Sequence, residues 1–265
     1  MENNFEIDPK KIDLLAQLAV HTGLGLQSGQ NLLITAPIES LPLVRRLSIH
    51  AYRAGAGLVT PLFSDPEITL ARFQNANNDS FDKAADWLYN GMGEAFDGNT
   101  ARLAVAGDDP MLLADEDPEK VGRVNKATSI AYKPARERIT RFDINWNIIS
   151  WPGTAWAKRM FPELTDYEAR KKLSDAIFAA SRVDQEDPMG AWSMHNVALK
   201  EKSEFPDGVG LYLNKNSFAV NEVSPDSKTP SKLVSIRSRL SRSNKVKVLV
   251  FGPTETLNDS SATIV

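Results

Sequence analysis

The sequence predicts an α/β protein: an open, mostly parallel sheet flanked by helices over residues 1–205, followed by an irregular tail over 206–265. Two observations carry this reading. Short, nearly all-apolar runs fit strands buried on both faces, and longer amphipathic stretches fit helices that cover a sheet. The two kinds alternate along the chain, as they do in βαβ units with right-handed crossovers. A chain of 265 residues can also bury a sizeable core in one large or two small domains.

Residues 9–25 place Ile12, Leu15, Leu18, Ala19 and Leu24 on one helical stripe, which Gly23 and Gly25 end. "QNLLITAPI" (30–38) is a buried strand. "SLPLVRRLSIHAYRAGA" (40–56) is a second amphipathic helix, with Ser40 as N-cap, Pro42 in the first turn and Gly55 near the end. "GLVTPLFSD" (57–65) is a strand in which Pro61 demands an edge position or a bulge. Helices follow over about 66–76 and 79–96, then a strand at 100–108. A long helix over 118–140 is expected to bend near Pro134. A strand at 143–152 and helices at 165–183 and 187–205 complete the unit, and a short strand is expected at 245–251 in the tail.

Composition narrows the function classes. The chain is 42% hydrophobic and 25% charged, with a formal net charge of -3, so no general affinity for nucleic acid or anionic membranes is expected. No cysteine is present, which excludes disulfides, thiolate metal sites and cysteine nucleophiles. "MENNFEIDPKK" is not a signal peptide, and no apolar run reaches the length of a membrane helix. A cytoplasmic protein is expected.

The densest group of candidate ligands is "AGDDPMLLADEDPEK" (106–120), with Asp108, Asp109, Asp115, Glu116, Asp117 and Glu119. Asp-Pro occurs five times, and Asp8, Asp65, Asp117 and Asp187 each stand directly before a helical pattern. An aspartate there accepts free backbone N–H groups, and proline suits the first helical position. Asp117, Glu116 and Glu119 therefore read as cap and first-turn residues. Asp108 and Asp109 follow the end of a strand, where α/β proteins place ligands, and remain site candidates. His21, His50 and His195 lack metal-ligand spacing and read as structural or surface groups. Gly23, Gly25 and Gly29 precede the first strand, the wrong order for a dinucleotide fingerprint. "WPGTAW" (151–156) reads as a tight turn packed by Trp151 and Trp156, with a rim contacting substrate or a neighbouring domain as the sharper alternative. Arg45 and Arg46 read as a solvated face.

Several separated segments agree, in order, with one family. "LLAQLAVHTGLGLQSGQNLLITAPIESLPLVRRLSIHAYRAGAGLVTPLFSDPEI", "GDDPMLLADEDPEK", "WNIISWPGTAWAKRMFPE" and "DPMGAWSMHN" resemble the N-terminal domain of the thermophilic aminopeptidase T family of metallopeptidases, over roughly residues 9–205. The resemblance implies a cytoplasmic homodimer that removes N-terminal residues from peptides with two divalent ions, zinc, cobalt or similar. It also implies that glutamates, histidines and an aspartate of a second domain hold those ions.

Residues 228–247 depart from the family, with seven Lys or Arg and no acid, and read as a flexible or aberrant end. "VKVLVFGPTETLND" (246–259) only faintly echoes the family's continuation. No histidine follows His195, so no metal, catalytic or cofactor-binding residue is assigned to this chain. It is expected to lack the catalytic domain, to bind no metal pair and to be inactive alone. Two other readings stand beside this one: an α/β module binding a small anion at its strand ends, which "GDDP" disfavours by repulsion, and an inactive paralogue docking on a complete family member.

Overall fold

The computed structural model describes residues 7–204, 210–213 and 220–223. Four strands, β1 (Leu32–Pro37), β2 (Val59–Ser64), β3 (Ala101–Ala106) and β4 (Trp146–Ser150), form one sheet in the order β2-β1-β3-β4. All three pairings are parallel, as the alternation of runs requires. Eight α-helices accompany them: α1 (Pro9–Leu18), α2 (Leu41–Arg53), α3 (Pro66–Asn75), α4 (Asp86–Asp97), α5 (Pro118–Thr140), α6 (Thr154–Met160), α7 (Asp166–Ala180) and α8 (Pro188–Glu204). A short antiparallel pair, β5 (Gly210–Leu213) with β6 (Val220–Val223), follows. The strand expected at 245–251 lies outside the described residues.

Successive side chains of a strand point to opposite faces of its sheet. Leu32, Ile34 and Ala36 of β1 therefore join a core with Leu15 and Leu18 of α1 and Leu43 and Leu47 of α2. Leu33 points the other way, into a second core with Met92 and Phe96 of α4 and Ala135 and Ile139 of α5. A third, smaller cluster of Ala157, Ala169, Leu173 and Ile177 joins α6 to α7.

β2 lies at the border of the sheet, where Pro61 can do without a donor. Leu32 N donates to Leu58 O across the pair. Alternation along the ladder then turns Val59, Pro61 and Phe63 outward. The Val59 N–H is taken by the Tyr52 hydroxyl at 3.1 Å.

The Asp-Pro reading holds. The carboxylate of Asp8 accepts Lys10 N, that of Asp65 accepts Glu67 N and Ile68 N, that of Asp117 accepts Glu119 N, and that of Asp187 accepts Gly190 N. Asp109, which precedes no helix, makes the same two-residue contact to Met111 N in a turn.

Several local expectations shift. The first helix passes at Ala19 into a wider π-helical turn, Ala19–Leu24, which Gly25 ends in the left-handed region at φ 61°. The Asn147 side chain, fully buried on β4, donates to Ala19 O at 3.3 Å. Ser40 occupies the N-terminal boundary of α2, but its hydroxyl makes no cap: it donates to Pro37 O at 2.7 Å and closes a 3-10 turn, Ile38–Ser40. The helix expected over 79–96 is divided into a 3-10 turn, Asn78–Asp82, and α4. That turn buries Phe81 against Phe73 at 5.5 Å and is held by Arg72, which donates to Ser80 O and Lys83 O. "WPGTAW" opens α6, with Gly153 at its N-terminal boundary, rather than ending in a turn.

Asp65→Ala is expected to lower stability by about 1 kcal/mol, since two N–H groups of α3 lose their acceptor, while Asp65→Asn retains most of the cap. Urea unfolding of the two variants beside the parent checks this.

Candidate functional site

In an open parallel sheet the ligand crevice lies beyond the carboxyl ends of the strands, where the strand order reverses. Here the chain moves from β1 outward to β2 and then returns to the other side of β1 for β3. The crevice therefore opens between the segments that follow β1 and β3, with those after β2 and β4 at its sides.

Glu39 follows β1. Its carboxylate accepts two bonds from Thr154 at the start of α6: from Oγ1 at 2.7 Å and from the backbone N at 3.1 Å. That clasp needs the β3 and β4 segments to touch. A Cβ on Gly153 would fall 2.0 Å from Gly107 O, and one on Gly107 would fall 2.7 Å from Trp151 O. Both glycines are there for close backbone approach.

Asp108 sits beside this clasp; its side chain is exposed by surface area, yet neighbouring atoms crowd the carboxyl. The Ser64 hydroxyl at the end of β2 donates to its Oδ1 over a long 3.4 Å. Burial raises the Asp108 pKa above the usual carboxylate range; Ser64 lowers it in part, and the nearby Glu39 charge raises it further. So one of the two aspartates expected at this strand end does enter the crevice. Asp109 turns aside: it caps its own turn and lies 3.9 Å from Arg159. Asp115 is exposed, Asp117 is the α5 cap, and Glu119 lies in its first turn.

Trp151 is buried in the main core and Trp156 packs on the α6–α7 cluster, so both serve packing. The Trp151 indole N–H meets no acceptor among the described residues. Trp151 also forms one wall of a groove of about 460 Å³ that runs from Glu39 along α2 to Arg170 of α7. Arg45 and Arg46, expected on a solvated face, are exposed and line this groove.

The histidines stay apart from the crevice chemistry. His50 Nε2 lies 3.1 Å from Asp13 Oδ1, and the His21 ring meets His50 edge-on at 6.3 Å. Burial, and then the His50 charge, lower the His21 pKa. His195 packs edge-on against Trp192 at 5.3 Å. Among the described residues no group of three or more His, Asp or Glu is placed to hold a metal ion. The described donors of this lobe do not fit a metal pair.

Two outcomes follow from this geometry. A carboxyl whose folded pKa is raised stabilises the fold below its unfolded pKa of about 3.9 and loses that contribution as pH rises through the folded value. Asp108→Asn should therefore raise the urea midpoint at pH 7, and the gain should disappear as pH falls toward the ordinary aspartate range. Gly153→Ala should cost at least about 1–3 kcal/mol, because Gly107 O must move from the new methyl; thermal unfolding reads the loss.

Comparison with known proteins agrees with this architecture. The family profile described as thermophilic metalloprotease (M29) matches residues 8–220. Aminopeptidase T of Thermus thermophilus is 48% identical over 209 residues, which are 79% of this chain and 50% of that protein. Aminopeptidase 2 of Geobacillus stearothermophilus is 37% identical over 190 residues, 72% of this chain and 46% of that protein. The solved structure of wild-type AmpT from Thermus thermophilus superposes with a TM-score of 0.69 at 42% identity, covering 76% of this chain and 52% of that one. The chain spans about half the length of the curated relatives it matches. A profile match across most of the sequence, close relatives and a shared parallel sheet make one statement: the chain belongs to the M29 family of thermophilic metalloproteases.

Proposed function

We propose that this chain is the α/β lobe of a metal-dependent aminopeptidase, which removes N-terminal residues from peptides with a pair of divalent ions such as zinc or cobalt. The observation that carries the proposal is the 48% identity to aminopeptidase T over 209 residues. In this reading residues 1–205 form the lobe that walls the substrate cleft and contributes to a cytoplasmic homodimer. Among the described residues no helix is long and apolar enough to cross a membrane.

The proposed division of labour rests on how the donors are engaged. Glu39 is held by Thr154, and His50 by Asp13. Recruiting either to a metal would break a contact that organises the fold. The lobe on its own is therefore proposed to be hydrolytically silent. A non-catalytic ligand-binding module is the second reading, and the groove beside Trp151 favours it.

The test mixes the purified 265-residue chain with zinc or cobalt and a leucyl chromogenic substrate. No turnover is expected. Turnover that a chelator abolishes would show that the chain carries a competent metal site, and would overturn the claim of silence. Light scattering of the same sample should give twice the monomer mass.

A further inference from the structure

The groove beside the crevice has a chemistry that peptide hydrolysis by itself does not explain. Arg45 and Arg46 stand next to each other on α2, and Arg170 faces them from α7. Ile49, Pro9 and Pro42 supply exposed apolar surface along it, over the buried Ile12 and Trp151. The carboxylate that reaches the groove, Glu39, is already held by two bonds from Thr154. Guanidinium groups therefore dominate the charge of the groove, in a chain whose formal net charge is -3.

The two guanidiniums of α2 are available. Arg46 lies 3.8 Å from Asp13, with side chains 44% and 40% exposed, which is a loose surface pair. Asp13 is also engaged at 3.1 Å by His50, so Arg46 can leave without stranding it. Arg45 is exposed. Guanidinium groups bind planar carboxylates through paired N–H donors, better than an ammonium could. The groove, about 460 Å³ and partly open to solvent, is large enough to take the end of a short peptide. A bare inorganic anion would leave the exposed Ile49 and proline surface unused.

We propose that this groove binds the α-carboxylate of a short peptide whose last residue is apolar. Arg45 and Arg46 take the carboxylate, and Ile49 with Pro9 and Pro42 takes the terminal side chain. The choice of a peptide as the source of the carboxylate rests on the aminopeptidase reading above. The lobe would thereby favour short peptides with free carboxyl ends over long or amidated ones.

The experiment is calorimetric titration of the purified chain, at low salt, with N-acetyl-Leu-Leu-Leu as the free acid and as its C-terminal amide. The blocked amino end keeps hydrolysis out of the reading, so binding and turnover can fail separately. The acid should bind at least about tenfold more tightly than the amide. The double variant Arg45→Gln with Arg46→Gln should bring the acid down to the level of the amide while leaving the melting temperature in place. Equal binding of acid and amide, or no binding of either, would overturn the proposal. So would inorganic phosphate binding as tightly as the peptide acid. Binding seen only after removal of residues 1–6 would assign the groove to the chain's own amino-terminal segment and would equally overturn it.

Discussion

Burial of β1 on both faces is the constraint from which the rest of the architecture follows. Leu32 and Ile34 commit one face of the strand to α1 and α2, and Leu33 commits the other to α4 and α5. Its two edges are occupied as well, by β2 on one side and β3 on the other. That placement is what reverses the strand order and opens a crevice beside β1. The Glu39 charge is felt at Asp108 there, each residue standing two positions past the end of its strand. The position of the crevice thus follows from the order of strands about β1.

Much of this could be read along the chain. Apolar runs gave away the strands, and each Asp-Pro dipeptide marked a place where a carboxylate accepts backbone N–H groups two or three residues on. Those are local effects, and local pattern reports them well. Pro61 was legible for the same reason, because a missing donor restricts a strand to a border. What escaped depends on contacts distant in sequence. Glu39 gains its role from Thr154, 115 positions away, and nothing in "APIES" announces that partner. Gly107 and Gly153 look like ordinary loop glycines until their backbones are brought together. The division of the 79–96 helix likewise needs Arg72 and the Phe73 ring, which lie on a different helix.

The candidate site was legible only in half. Asp108 was marked by its place after a strand, whereas the neighbouring Asp109 has the same residue type and the opposite fate. One residue along an extended segment turns a side chain to the other side, and composition cannot choose between them. Arg45 and Arg46 show the converse. A basic pair on an amphipathic helix looks solvated, and it is exposed, yet α7 and the end of β4 fold up against it and turn a surface into a groove. The histidines, by contrast, are engaged in local contacts: His50 with Asp13, His21 edge-on against His50, and His195 against Trp192.

The outer rim of β2 limits how copies of this protein can stick together. Of the three amides that point away from β1, Pro61 has no hydrogen and Val59 is occupied by Tyr52. A neighbouring chain trying to extend the sheet there would find a single willing donor at Phe63. Fibril-like growth through backbone pairing is thereby discouraged at the parallel sheet's β2 margin. Self-association at that margin must proceed through side-chain surfaces, whose shape selection can close and stop.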